Sequence, residues 1–165
     1  MKKLATRFAQ YPLIAEFDFK FNDWVIDSND GVKKTLGSSV VNSADPAEPL
    51  LTGPAANTIA FDCLNLPADA VICGGEVIVE TAYTGPTAAT LSVGPVGGAA
   101  TAVANAVSLL AVGRSALTLT TPMACSAGQN LRMTLNYTVA NATAGKARVR
   151  VMYTIDGRTS EIQPI

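Results

Sequence analysis

The sequence contains no histidine. A chain without imidazole lacks the usual general base for a serine or cysteine nucleophile. It also cannot build the histidine-rich metal site of a cupin-like enzyme. Charge is scarce as well. Charged residues make up 15% of the chain, against roughly 25% in soluble domains. The net charge is −1, so no excess of either sign steers the molecule toward nucleic acid or an anionic membrane. Aromatic residues amount to 6% and are not interleaved with Arg or Lys, which argues against a platform for stacking bases. The three cysteines, Cys63, Cys73 and Cys125, are odd in number and show no Cys-x-x-Cys spacing. That argues against a disulfide framework or a zinc knuckle. Cys63 and Cys73 lie in apolar segments and read as small buried hydrophobes. No apolar run reaches the roughly 18 residues of a membrane span; residues 99–112 come nearest, and Asn105 and Ser108 interrupt them. The first residues resemble a signal peptide only briefly, because Arg7 and Gln10 break the apolar run, so export is not expected.

What the chain does have is 48% apolar residues over 165 positions. A chain near this size folds as one domain and buries roughly 68–70% of its unfolded surface without staples. Phe17, Phe19 and Phe21 alternate with Glu16, Asp18 and Lys20, the period of a half-buried strand over residues 14–21. Leu131, Met133, Leu135, Tyr137 and Val139 alternate with polar residues in the same way. So do Val149, Val151 and Tyr153 against Lys146, Arg148 and Arg150. Residues 70–83 form a more apolar strand, with Val77, Val79, Thr81 and Tyr83 on one face. Its Gly74-Gly75 pair predicts a bulge or sharp bend. Residues 84–87 read as a turn, after which 89–93 pairs back on that strand. Shorter strand signals lie at 58–63 and around Leu117 and Leu119. Residues 42–57 are expected to be a long surface loop, and 94–114 a loop with at most a short helix. About eight strands with no β-α-β alternation predict an all-β fold. The expected form is an antiparallel two-sheet sandwich of the jelly-roll type, with an extended N-terminal arm and long loops. Residues 1–12 form the arm, in which Lys2, Lys3 and Arg7 are interleaved with Leu4, Phe8 and Tyr11; residues 13–165 form the sandwich.

The search for chemistry yields little. Asp27-Ser28-Asn29-Asp30-Gly31 starts like a calcium loop but places Gly31 and Val32 where the pattern needs an oxygen ligand and a glycine. A turn between strands is the better reading. Glu76 and Glu80 share a strand face roughly 13 Å apart, too far for paired carboxylate catalysis, and are expected to face Arg148 and Arg150 across a sheet. Gly94-Pro95-Val96-Gly97-Gly98 is neither a dinucleotide fingerprint nor a P-loop, and Pro95 removes an amide donor. The two sequons at Asn136 and Asn141 read as chance matches. Lys146, Arg148 and Arg150 form a basic stripe that is a candidate docking surface. No enzyme activity, metal or cofactor is expected.

Residues 66–83, with their Leu66-Pro67-Ala68 turn and Gly74-Gly75 pair, are followed by Thr90-Leu91-Ser92-Val93-Gly94. Together they resemble a pattern of small tailed-bacteriophage structural proteins. The ending Gly145-Lys146-Ala147-Arg148-Val149-Arg150-Val151-Met152-Tyr153, with Gly157-Arg158 beyond it, resembles the last strand of that family. The resemblance spans residues 57–162. It departs after Val93-Gly94, where the family carries an Asp-rich segment and this chain has Pro95-Val96-Gly97-Gly98-Ala99-Ala100. The resemblance implies a jelly-roll cement or decoration protein. Such a protein is made in the host bacterial cytoplasm and sits on the capsid surface of the virion. There it bridges neighbouring subunits of the major capsid protein, as a homodimer or homotrimer. Lys2, Lys3, Arg7, Phe8, Tyr11, Lys146, Arg148 and Arg150 are its candidate contacts, with no nucleic acid or membrane partner. The alternative is a tail-fibre or head-fibre module that binds carbohydrate or receptor. Stacking on sugar would then fall to Tyr11 and Trp24, because the other tyrosines read as core.

Overall fold

The computed structural model describes residues 11–29, 31–37, 58–119, 123–125, 127–138 and 141–156. Every regular element among them is a strand: β1 (Leu13–Lys20), β2 (Trp24–Ile26), β3 (Lys33–Thr35), β4 (Thr58–Leu66), β5 (Ala70–Thr84), β6 (Ala88–Pro95), β7 (Ala104–Ser108), β8 (Gly113–Ala116), β9 (Met123–Cys125), β10 (Gln129–Thr138) and β11 (Ala144–Ile155). One sheet has the order β1-β11-β5-β8, with β9 also pairing β5. The other has the order β4-β10-β6-β7, and β2 and β3 form a separate hairpin. All pairings are antiparallel.

The pairs are nested. β1 pairs β11, β4 pairs β10, β5 pairs β8 and β9, and β6 pairs β7, with successive pairs falling in alternate sheets. A long hairpin wrapped around a barrel-shaped core produces this order, and it is the jelly roll. β8 and β9 share one strand position, which leaves eight positions among the described residues once the β2–β3 excursion is set aside.

The alternating strands place their apolar faces between the sheets. Phe19, Val77, Val79, Val149 and Val151 of the first sheet meet Ile59, Phe61, Leu91, Val93, Leu131, Met133 and Leu135 of the second, all buried. Aromatic rings run through this interior in a chain. Phe61 lies 5.7 Å from Phe17, Phe17 6.2 Å from Phe19, Phe19 6.4 Å from Tyr83, and Tyr83 6.1 Å from Tyr137. Contacts of this kind each add about 0.5–1.5 kcal/mol beyond area burial.

Several sequence expectations need correction. Residues 89–93 do not pair back on β5. β5 and β6 lie in opposite sheets, and Gly85 (φ +108) with the buried Pro86 carries the chain across between them. Both edges of each strand are already taken by other partners. Residues 94–114 hold no helix but the strand β7, paired with β6. Ala106 sits at φ +47 there and donates its N–H to the buried Ser92 hydroxyl at 3.0 Å. Leu117 and Leu119 are outside any strand; β8 lies just before them and is exposed throughout. The expected bulge falls at Cys73, immediately before the glycine pair. Met152 faces Gly74 and Tyr153 faces Ile72, so Cys73 has no opposite residue and stands exposed rather than buried. A second irregularity leaves Glu80 as the extra residue, which turns Thr81 outward instead of inward.

Candidate interaction surface

β11 lies between β1 and β5, so its outward cations face carboxylates on both sides. Arg148 bonds Asp18 at 2.5 Å and approaches Glu16 and Glu80 at 3.1 Å each. Arg150 bonds Glu16 at 2.8 Å and reaches Glu76 at 3.3 Å. Arg114 on β8 closes on Glu76 at 3.2 Å, and Lys146 pairs with Glu80. The registry explains the match: Glu16 stands opposite Arg150 and Asp18 opposite Arg148 on one side, with Glu76 opposite Arg150 on the other. The hydrogen bond from Arg148 to Asp18 raises the guanidinium pKa further above its ordinary value. The expected pairing of Glu76 and Glu80 with the β11 arginines is therefore present. The stripe is not a bare basic patch. Four acids and four bases alternate across the sheet, so the face presents little net field.

Of the other candidate contacts, Tyr11 is 83% exposed. Lys2, Lys3, Arg7 and Phe8 lie outside the described residues, as does the whole of the expected surface loop at 42–57. Trp24, Val25 and Ile26 continue the apolar trend of the sequence after β1. Only Val25 turns inward; Trp24 and Ile26 are exposed on the outer face of the β2–β3 hairpin. The Lys33 ammonium sits 3.9 Å from the Trp24 ring centroid, a cation–π contact that covers one face of the indole.

The expected turn follows β2, with Asp27 and Gly31 at its two ends. Asp27 accepts the Asn29 N–H at 2.9 Å through its side chain and the Gly31 N–H at 2.8 Å through its carbonyl; Gly31 takes the left-handed φ of +72. What the sequence did not suggest is that Asp27 is fully buried. Its carboxylate binds Lys34 at 2.5 Å, and both side chains are essentially inaccessible. The other carboxylate oxygen accepts the Ala60 N–H at 3.2 Å, while Ser28 N–H donates to the Ala60 carbonyl at 2.6 Å. These bonds fasten the hairpin along the outer edge of β4 and cap the polar groups that an open edge would offer to other chains.

Among the described residues, no group of three or more His, Cys, Asp or Glu is placed to hold a metal ion. Cys63 donates its thiol to the Leu131 carbonyl at 3.3 Å, and burial pushes its pKa up to about 12. That thiol is no nucleophile at neutral pH.

No family model and no curated protein matches this chain. Among solved structures it is similar to a chain of the "Cyanophage Pam1 capsid asymmetric unit", with a TM-score of 0.55 and 17% identity, over 93% of this chain and 94% of that one. The likeness is one of fold. It extends over nearly the whole of both chains, so the two share the complete sandwich rather than a fragment of it.

Proposed function

We propose that this chain is a virion structural protein of the cement or decoration type, which binds the assembled capsid and stabilises it by bridging neighbouring major capsid subunits. The observation that carries the reading is the full-length likeness of fold to a chain of a phage capsid. The surface supports it. The charged face of the first sheet is neutralised by its own partners, while Tyr11, Ile14, Trp24, Ile26 and Val112 remain exposed. Such a surface acts by apolar burial, at roughly 25 cal/mol per Å² before ordering and association costs. Identical contacts repeated around a shell add through avidity. In this reading residues 1–12 are a contact arm and 13–165 the sandwich. Lys146, Arg148 and Arg150 meet a partner as members of a neutral ladder, not as free cations. No catalysis is involved.

Mass spectrometry of purified virions tests the reading. The chain is expected in fixed stoichiometry with the major capsid protein, and its absence from particles would refute the role. Deleting residues 1–12 is expected to weaken binding and lower the thermal stability of the particle. A fibre-tip module for carbohydrate is the rival that exposed Tyr11 and Trp24 favour. A glycan array without hits would dismiss it.

A further inference from the structure

We infer that Asp27 and Lys34 condense, once the chain has folded, into an isopeptide bond between the Asp27 carboxyl and the Lys34 amine. The hairpin brings together what that reaction needs. Lys34 stands opposite Val25. Asp27 N–H donates to the Val32 carbonyl at 2.9 Å, and Leu36 N–H to the Asp23 carbonyl at 2.7 Å. These bonds brace both residues from either side. Asp27 is 0% exposed and Lys34 2%. Lys34 Nζ lies 2.5 Å from Asp27 Oδ2, so it is no farther from Cγ than that distance and one carbon–oxygen bond. Nucleophile and target carbon are held together before any motion, which turns a bimolecular reaction into an effectively unimolecular one.

The second carboxyl oxygen completes the site. Oδ1 accepts the Asn29 N–H at 2.9 Å and the Ala60 N–H at 3.2 Å. Two backbone amides aimed at one carboxyl oxygen are the donors that addition at Cγ requires, because negative charge develops on that oxygen. The step balances within the pair. One Nζ proton passes to Oδ2 along the bond that already joins them, leaving a neutral amine beside a carboxylic acid. In water the solvation of both ions opposes that transfer; in a buried site this solvation is missing. The amine lone pair then forms the bond from Nζ to Cγ, and the carbonyl electron pair moves onto Oδ1 between the two amides. On collapse the bond from Cγ to Oδ2 breaks. Oδ2 takes a second proton from Nζ and leaves as water, and one N–H stays on the new amide. Two buried charges disappear, and their desolvation with them. The newly folded chain holds the ion pair, and the condensed form accumulates from it. Oδ1 becomes the amide oxygen and keeps its two N–H bonds, so the hairpin is locked in place against β4. The inference is independent of the virion role above.

Intact-mass measurement of the full chain is the test. Protein kept folded over weeks, as circular dichroism verifies, is expected to convert to a species lighter by one water per chain. Chain held in urea should keep its full mass. Fragmentation of a tryptic digest should show the peptide carrying Asp27 joined to Lys34. Asp27→Asn keeps the shape of the side chain and should reach the same final mass, since ammonia leaves in place of water. Lys34→Met should lose nothing. A folded parent that keeps its full mass overturns the inference, and that result needs no variant to fold. A water loss that persists in Lys34→Met overturns it as well. So does fragmentation that places the loss at Asp30-Gly31 or Asp156-Gly157, where closure to a succinimide sheds the same mass.

Discussion

Among the described residues, Tyr83 and Tyr137 each bury a hydroxyl that makes no hydrogen bond of good geometry, although the two phenols lie close enough to influence each other's ionisation. Burial raises both phenol pKa values above their ordinary range. Each oxygen has left water without a well-formed replacement, and a buried hydroxyl left unsatisfied costs about 1–3 kcal/mol. Tyr137→Phe keeps the ring stacked on Tyr83 and removes only that oxygen. Urea unfolding should find the variant equal in stability to the parent or up to about 1 kcal/mol more stable; a clear loss would show that the hydroxyl is satisfied after all. A few ångströms away the opposite behaviour is expected. Gly145 has φ +150, and a Cβ there would stand 2.5 Å from the Tyr83 ring. Gly145→Ala combines backbone strain with overpacking, and should lose about 1–3 kcal/mol or more in the same assay.

At the scale of elements, the β2–β3 hairpin is held by a buried ion pair and by two bonds to the edge of β4. Asp27→Ala strips the buried Lys34 ammonium of this carboxylate and frees the Ala60 N–H. The expected loss is about 3–5 kcal/mol. Asp27→Ala combined with Lys34→Met should recover much of it, since removing both charges also removes their desolvation. Failure of the double variant to recover would mean that the edge bonds dominate. The ladder on β11 behaves differently because it lies at the surface. Arg148→Met removes the cation shared by Glu16, Asp18 and Glu80; Arg150 still holds Glu16 and Lys146 still holds Glu80, but the cluster is left with one carboxylate in excess at Asp18. The melting temperature should fall in low salt, and the deficit should shrink as salt screens the repulsion. A deficit independent of salt would point to lost packing instead. The elements that a reader of the sequence can see are those with a strict period: β1, β10 and β11 each bury one face and bare the other, and their polar faces already foretell the pairing of Arg148 and Arg150 with Glu76 and Glu80. β8 gave no such sign because Gly113-Arg114-Ser115-Ala116 is exposed on both faces. β7 was hidden in an alanine-rich run where small residues fit either face. The passage from β5 to β6 could not be assigned to a hairpin or a crossing, because alternation is the same in both.

For the whole molecule, nesting draws distant segments into one interior, with Leu13 opposite Tyr153 and Ala70 opposite Ile155. Cys63, Cys125, Tyr83 and Tyr137, drawn from three strands and the short β9, therefore share the fate of a single core. All four have raised pKa values, and burial is the largest cause in each; Cys63 reaches about 12. In the unfolded chain these thiols and phenols ionise near 9.0 and 10.0. Above those values the unfolded state has released protons that the folded state still holds, so raising the pH favours unfolding. Stability should be nearly flat between about pH 6 and 8, where no imidazole titrates, and should fall steadily from about pH 9 upward. Urea midpoints taken across that range will show the decline. Combining Cys63→Ala with Tyr137→Phe removes two of the four groups and should flatten it. An unchanged slope would mean that the core opens to hydroxide before it unfolds, and that the wrapped sandwich is less cooperative than its nested pairing requires.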